Sequence, residues 1–402
     1  MHTRTQIHAE LATIELTLDP KPTAYFGRGR VAEVGGIVAE VGGIVAGLGA
    51  KSALIVTDPF LATTDVVGAV RASIEAAGLT VTVFDGVTPN PTTTCVDAGS
   101  DLASETAVDV LVPVGGGSSM DAAKGISLGA VNSARGAGLD YSNHFANPAL
   151  PIVAVPTTAG TGAEVNAFGV VTDVEAHRKF YVGHESALPK AAVLDPELTL
   201  GLPPKATAAT GMDALTHAIE SYSSIRPNPY SDGIALQVAS MVAEFLPRAV
   251  RDGTDIEARS QLLLASHIAG VGFSHTGLGL IHAIAHPLGG RFNIPHGLAL
   301  CVVIEDVLRL NLRSRLDRTA RLAFALGVGD TASTVEQNAD AAVTAVASLA
   351  REVGMTARLT DFGVTNADLD SLVEDTLADS VINNTPVPPT AAEIRAILEK
   401  AL

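Results

Sequence analysis

Residues 282–296 read HAIAHPLGGRFNIPH and hold three of the chain's eleven histidines. His282 and His286 are four apart in the apolar run GLGLIHAIAH, so a helix puts both imidazoles on one face. Pro287 lacks an amide donor and crowds the preceding turn, which predicts that this helix ends there. The following PLGGRFNIP reads as a loop that swings His296 back to the same place. Alone, the pair reads first as core histidines satisfied by hydrogen bonds, and other residues have to make the case for more. A second pair lies upstream, where PPKATAATGMDALTHAIESY (203–222) places Asp213 and His217 four apart. A buried carboxylate beside a buried imidazole needs a reason, because unpaired polar groups in a core are costly. A mutual hydrogen bond is one. The other is a divalent metal held by Asp213, His217, His282 and His296, a donor set that suits Fe2+ or Zn2+ rather than Mg2+ or Ca2+. It does not choose between iron and zinc.

A second chemistry sits in VDVLVPVGGGSSMDAAKGI (108–126), a strand, a glycine-rich turn and a helix. Gly115, Gly116 and Gly117 let the backbone approach a phosphate, and the amides of the helix start can bind it. Any strand–helix unit can carry such a turn. PTTAGTGAEVN (156–166) adds the hydroxyls of Thr157, Thr158 and Thr161 at the end of the next strand. Asp58 closes the strand ALIVT. Its carboxylate could accept hydrogen bonds from an adenine ribose and repel a 2′-phosphate. Equally, it could cap a helix that begins at Pro59.

These residues need elements to hold them. KSALIVTD (51–58), TVTVFDG (80–86), AVDVLVPVGGG (107–117) and PIVAVPTTAG (151–160) are apolar runs, with helical stretches such as TTTCVDAGSDLASET between them. That rhythm predicts a Rossmann-like α/β domain with a parallel sheet and ligands at the carboxyl ends of its strands. From about Lys205 the pattern is helical, with loops at RPNPYSDG, HPLGG and TPVPPT. The expected organisation is an α/β dinucleotide-binding domain over 1–199 and an all-helical metal-binding domain over 200–402. Residues 31–44 repeat one heptad, VAEVGGI, which reads as a duplication that lengthened one surface helix.

At 402 residues, 47% hydrophobic and 17% charged, the chain is globular and large enough for two buried cores. A formal net charge of −17 repels phosphate backbones and anionic lipid heads, so neither nucleic acid nor a membrane surface is an expected partner. No uninterrupted apolar run reaches a spanning length, and MHTRTQIHAELATIEL lacks a signal-peptide core. Two cysteines make no disulfide framework. The cytosol is the expected compartment.

AYFGRG, ALIVTD, DGVTPNPT, GGGSSMDAAK, PTTAGTGAEV, HRKF, ATGMDALTHAIESY, GFSHTGLGLIHAIAHPLGG and NIPHG occur in this order. By them the chain resembles the iron-dependent (group III) alcohol dehydrogenases, within which it is most similar to the lactaldehyde reductases, or propanediol oxidoreductases. The resemblance implies metal coordination by Asp213, His217, His282 and His296, with His286 a non-ligand beside the nicotinamide and a member of a proton path. It implies NAD binding by Asp58, Asn90, Gly116, Gly117, Ser118, Thr157, Thr158, Thr161 and Lys179, and a substrate pocket containing Phe168 and Phe273. The expected reaction is reversible hydride transfer between NAD(H) and a small primary alcohol or aldehyde, in a cleft between the domains. A homo-oligomer, most simply a dimer, is expected.

Two departures bear on this. The turn reads GGGSSMD where many relatives carry proline at the second serine, and NAFG follows GTGAEV where the propanediol enzymes carry a polar residue near the substrate. Phe168 at that position predicts a pocket better suited to an alkyl chain than to a diol. Rival readings are a non-redox metallohydrolase, a lyase of the dehydroquinate synthase kind, a zinc-dependent glycerol dehydrogenase, and a metal-binding structural protein without turnover. The hydrolase would not need the glycine turn, the TTAGT loop and Asp58 together.

Overall fold

The computed structural model describes Leu18, residues 21–28 and residues 40–402, apart from His177 and the side chain of Arg178. The N-terminal stretch and residues 31–39 of the duplicated heptad lie outside the described residues. The described part of the second copy opens helix α1 (Val41–Gly47), whose Val41, Gly42 and Val45 are buried. The chain forms two compact units, one of Lys21–Leu202 with Gly253–His267, the other of Pro203–Asp252 with Ile268–Leu402.

The first unit is built on a six-stranded, wholly parallel sheet. Its strands are β1 (Thr23–Phe26), β2 (Ser52–Val56), β3 (Thr80–Phe84), β4 (Val110–Gly115), β5 (Val153–Pro156) and β8 (Ala191–Leu194), in the order β1-β8-β5-β4-β2-β3. Helices α2 (Asp65–Ala76), α3 (Thr93–Glu105) and α4 (Gly117–Asn132) connect them. Because strand residues alternate faces, Ala53, Ile55, Val112 and Val114 enter one core with Val41 and Ile74. Leu54, Val56 and Leu111 enter another with Val96 and Ile126. The sheet is therefore covered on both faces, as the unbroken apolar runs require. Strand order reverses at β2, which has β3 on one side and β4 on the other. Loops leaving the carboxyl ends of β2 and β4 consequently border a crevice. An antiparallel hairpin, β6 (Phe168–Asp173) and β7 (Arg178–Gly183), lies outside this sheet. Its Gly169 approaches α4 so closely that a Cβ would stand 2.7 Å from Asp121 Cα.

The second unit is helical. Among its elements are α5 (Pro204–Ser223), α6 (Pro229–Arg251), the later part of α7 (Ile256–Thr276) and α8 (Leu280–Phe292). It continues with α9 (His296–Ala325), α10 (Val335–Glu352), α11 (Leu369–Ala378) and α12 (Ala391–Ala401). Helix α6 is long and apolar enough to meet the composition of a membrane span. Its buried stripe includes Ala235, Val238, Ala239, Val242 and Leu246, and Leu246 packs on Gly211 of α5.

One local expectation fails. Pro287 does not end its helix: α8 continues through it to Phe292 and closes at Asn293, whose φ of 54° is left-handed. Proline removes one amide and one internal hydrogen bond without forbidding the helix, and the stop is made by Asn293, a residue that tolerates this backbone. His296 is then the first residue of α9, after a connection of only Asn293, Ile294 and Pro295.

Candidate metal centre and cofactor loops

Helix α5 carries Asp213 and His217 one turn apart, α8 carries His282 and His286, and α9 starts at His296. The Nε2 atoms of His217, His282 and His296 stand 3.3, 3.6 and 3.5 Å from a single atom, Asp213 Oδ1. Asp213, His217 and His282 are buried. Asp213 Oδ1 and His282 Nε2 have no hydrogen-bond partner, an arrangement that costs free energy unless something else occupies the point of convergence. Donors about 2.0–2.2 Å from an ion at tetrahedral corners are about 3.3–3.6 Å apart. Asp213, His217 and His282 each bring a donor atom within 4.8 Å of the other two, with His296 Nε2 3.5 Å from Asp213 Oδ1, so the donor types and the three-residue core fit a metal of the iron or zinc type. Three helices reach this point because α9 approaches α5 at Gly297, where a Cβ would lie 2.2 Å from the Ala209 carbonyl oxygen.

Electrostatics suit a ligand role directly at Asp213, His217 and His296, whereas His282 must shed a proton for a metal to bind. Burial opposes ionisation of Asp213, but the neighbouring His217 and His296 outweigh it and hold its carboxyl well below the usual range. Burial pushes His217 and His296 down to about 4, so both are neutral imidazoles at physiological pH. Burial also disfavours the charged form of His282, yet Glu220 and Asp213 draw it up to about 9. Glu220 Oε2 lies 2.6 Å from His282 Nδ1, and the same carboxylate accepts the amides of Gly279 and Ile281 at the start of α8. A carboxylate there satisfies the helix N-terminus and fixes the imidazole so that Nε2 faces Asp213.

His286 is not among the converging donors. Its Nδ1 bonds Asp379 Oδ2 at 2.6 Å, and its ring stacks on His296 at 5.9 Å with an interplanar angle of 12°. Neither Glu220 nor Asp379 is singled out by the sequence. Glu220 had one available signal, its position three residues after His217 on the same helix face; Asp379 had none. Phe273 lies beside this cluster, its ring centroid 4.5 Å from that of His217.

In the sheet unit, the two segments suspected of binding phosphate come together. Gly116 caps α4, and a Cβ on it would lie 3.1 Å from Thr158 Cγ2, while one on Gly117 would lie 2.7 Å from Thr161 Cγ2. Thr157 is tied to the turn by its amide, which donates to the Gly115 carbonyl at 2.9 Å. Ser118 lies in the first turn of α4. Asp58 follows β2, the neighbour of β4, and its Oδ1 accepts the amides of Phe60 and Leu61 at 2.9 and 3.0 Å. The capping role is thus real, though it opens a short 3-10 turn, and both bonds use the same oxygen. Asn90, with a left-handed φ of 52°, receives the Lys179 ammonium on Oδ1 at 2.8 Å. Burial pulls the Lys179 pKa down from its ordinary value.

Phe168 opens β6, its ring meeting Tyr181 edge-on at 6.0 Å. Its backbone is held by Lys124, another residue the sequence did not single out. The buried Lys124 ammonium donates to Ala163 O, Asn166 Oδ1 and Phe168 O at 2.8, 2.7 and 2.6 Å, which uses all three of its hydrogens. Glu164 in the same segment is bonded by His267 Nδ1 at 3.0 Å.

The pattern described as "Iron-containing alcohol dehydrogenase" matches residues 22–196, and "Fe-containing alcohol dehydrogenase family, C-terminal" matches 207–402. The chain belongs to the iron-containing alcohol dehydrogenase family. It is 37% identical over 381 residues to the NAD-dependent methanol dehydrogenase of Bacillus methanolicus, covering 95% of this chain and 98% of that one. It is 37% identical over 374 residues to the lactaldehyde reductase of Escherichia coli (strain K12), covering 92% and 96%. A crystal structure of 1,3-propanediol oxidoreductase matches with a TM-score of 0.91 at 36% identity, covering 96% of this chain and all of that one. The chain is thus an NAD-dependent oxidoreductase of an iron-using family, and a non-redox hydrolase is not favoured.

Proposed function

We propose that this enzyme oxidises small primary alcohols with NAD+ and reduces the corresponding aldehydes with NADH. Iron would be held by Asp213, His217, His282 and His296, and zinc satisfies the same donors. The observation that carries this reading is the convergence of three Nε2 atoms on Asp213 Oδ1 at 3.3–3.6 Å. Bound there, the metal supplies a Lewis acid for the substrate's oxygen.

The remaining work falls to the chain. Gly116, Gly117, Ser118, Thr157, Thr158 and Thr161 present amides and hydroxyls to the cofactor's phosphates. Asp58 keeps Oδ2 for the adenine ribose while Oδ1 caps its turn. Asn90 and Lys179, already bonded to each other, form a polar wall for the rest of the cofactor. His286 takes up the proton that alcohol oxidation releases. Phe168 of the sheet unit and Phe273 of the helical unit are the side chains assigned to the substrate. In this reading 1–199 serve the cofactor and 200–402 the metal. The enzyme works in the cytosol, consistent with the free thiols Cys95 and Cys301, as a homodimer, without nucleic-acid or membrane partners.

The test is NADH formation across short alcohols by metal-loaded protein. A diol's second hydroxyl beside Phe168 would lose water without gaining a partner, at roughly 1–3 kcal/mol, while each buried CH2 of an alkyl chain gains about 0.8 kcal/mol. 1-Butanol should therefore match or exceed 1,2-propanediol in kcat/KM, and Phe168→Asn should shift the ratio toward the diol. A strong wild-type preference for 1,2-propanediol would sink the pocket assignment, and no turnover of any alcohol would sink the function.

A further inference from the structure

We infer that Asp379 is a positioning residue for His286, setting which ring nitrogen carries the proton and which can receive one. The inference rests on the alcohol dehydrogenase reading, in which His286 handles the released proton. Asp379 follows α11, far in sequence from every motif that suggested chemistry. Its Oδ2 lies 2.6 Å from His286 Nδ1, and its Oδ1 accepts the Val381 amide at 3.0 Å, capping the 3-10 turn Ser380–Asn384. The carboxylate is thus held at both oxygens. The two side chains keep 13% and 11% of their exposure, so little water competes for the bond.

An ionised carboxylate only accepts hydrogen bonds. His286 Nδ1 therefore donates, and in the neutral ring Nε2 is the nitrogen that carries no proton. Turning the ring over would put Cδ2 in place of Nδ1 and break the 2.6 Å bond to Asp379, while the ring stays beside His282 and His296. Asp379 fixes His286 in one tautomer and one orientation, with the accepting nitrogen turned away from the carboxylate.

Asp379→Asn tests this with little change of shape. Asparagine keeps an acceptor for Val381 but presents an NH2 donor to Nδ1, which must then accept, so the proton moves to Nε2. Alcohol oxidation should fall by roughly 100-fold or more, the range of lost acid–base catalysis, with bound metal and NADH affinity unchanged. In a His286→Asn background the same substitution should have no further effect. A readout independent of turnover is 15N NMR of histidine-labelled, zinc-loaded protein. There the wild type should show His286 protonated at Nδ1 and bare at Nε2, and the variant the reverse. A wild-type His286 carrying its proton on Nε2 overturns the inference even if the variant does not fold. So does full activity in Asp379→Asn, an equal loss in both backgrounds, or loss of metal from the variant. A wild type that oxidises no alcohol, yet shows the expected tautomers, would overturn the functional reading and leave this one standing.

Discussion

Glu220 accepts three hydrogen bonds, from Gly279 N, Ile281 N and His282 Nδ1, and joins the start of α8 to α5 through one carboxylate. Glu220→Gln would turn an NH2 group toward one of three donors. Metal affinity should drop about 10–100-fold, the usual cost of losing a partner behind a ligand. Competition with a chromogenic chelator measures it, and unchanged affinity would show that His282 needs no such support. Asp58 poses a different question, because removing its side chain would also remove a cap. Asp58→Asn keeps an oxygen for the Phe60 and Leu61 amides while deleting the charge. It should narrow the preference for NAD over NADP at least tenfold in kcat/KM, about 1.4 kcal/mol; a constant ratio would leave Asp58 as a cap. At this scale the sequence told half the story. Asp213 with His217, and His282 with His286, were legible as pairs because helical spacing puts each pair on one face of its own helix. The partners of His282 and His286 lie 62 and 93 residues away, and no local pattern encodes a contact made by tertiary packing.

Helix α9 illustrates what an element adds. Its second residue, Gly297, meets the backbone of α5, and a Cβ would stand 2.2 Å from Ala209 O and 2.7 Å from its carbonyl carbon. Backbone cannot yield as a side-chain tip can, so Gly297→Ala should push the two helices apart, carrying His296 from Asp213. The expected cost is roughly 1–3 kcal/mol, seen as a lowered Tm together with reduced bound metal. A variant with wild-type Tm and metal content would contradict this account of how the helices meet. The four apolar runs read as strands are β2, β3, β4 and β5, and the stretch between the second and third is α3, because long runs flanked by turn residues give a clear signal. TAYF and AAVL, four residues each, are too short to stand out, yet they form β1 and β8, with β8 pairing to β5 on one side and β1 on the other. Pro287 misled for a related reason: a rule about one residue yields to the packing of a whole helix.

At the scale of the molecule, the residues proposed to bind the cofactor all lie in the sheet unit and those proposed to hold the metal all lie in the helical unit. Each set is held by contacts within its own unit, such as Thr157 N to Gly115 O and Glu220 to His282. Stripping the metal with a chelator should therefore abolish alcohol oxidation while NADH fluorescence still titrates with near-native affinity. Loss of NADH binding on chelation would mean that the metal organises the cofactor site too. The arrangement also explains why fold class and reaction class were both legible in this sequence: its motifs sit at strand ends and on helix faces, where a few local residues determine the chemistry. The most direct measurement is bound metal per chain and NADH formation from 1-butanol, in freshly purified wild type and in His282→Ala. The wild type should carry about one ion of iron or zinc and turn over, whereas His282→Ala should hold far less metal and form no NADH. A His282→Ala protein that stays metal-replete and active would contradict the site on which the proposed function rests.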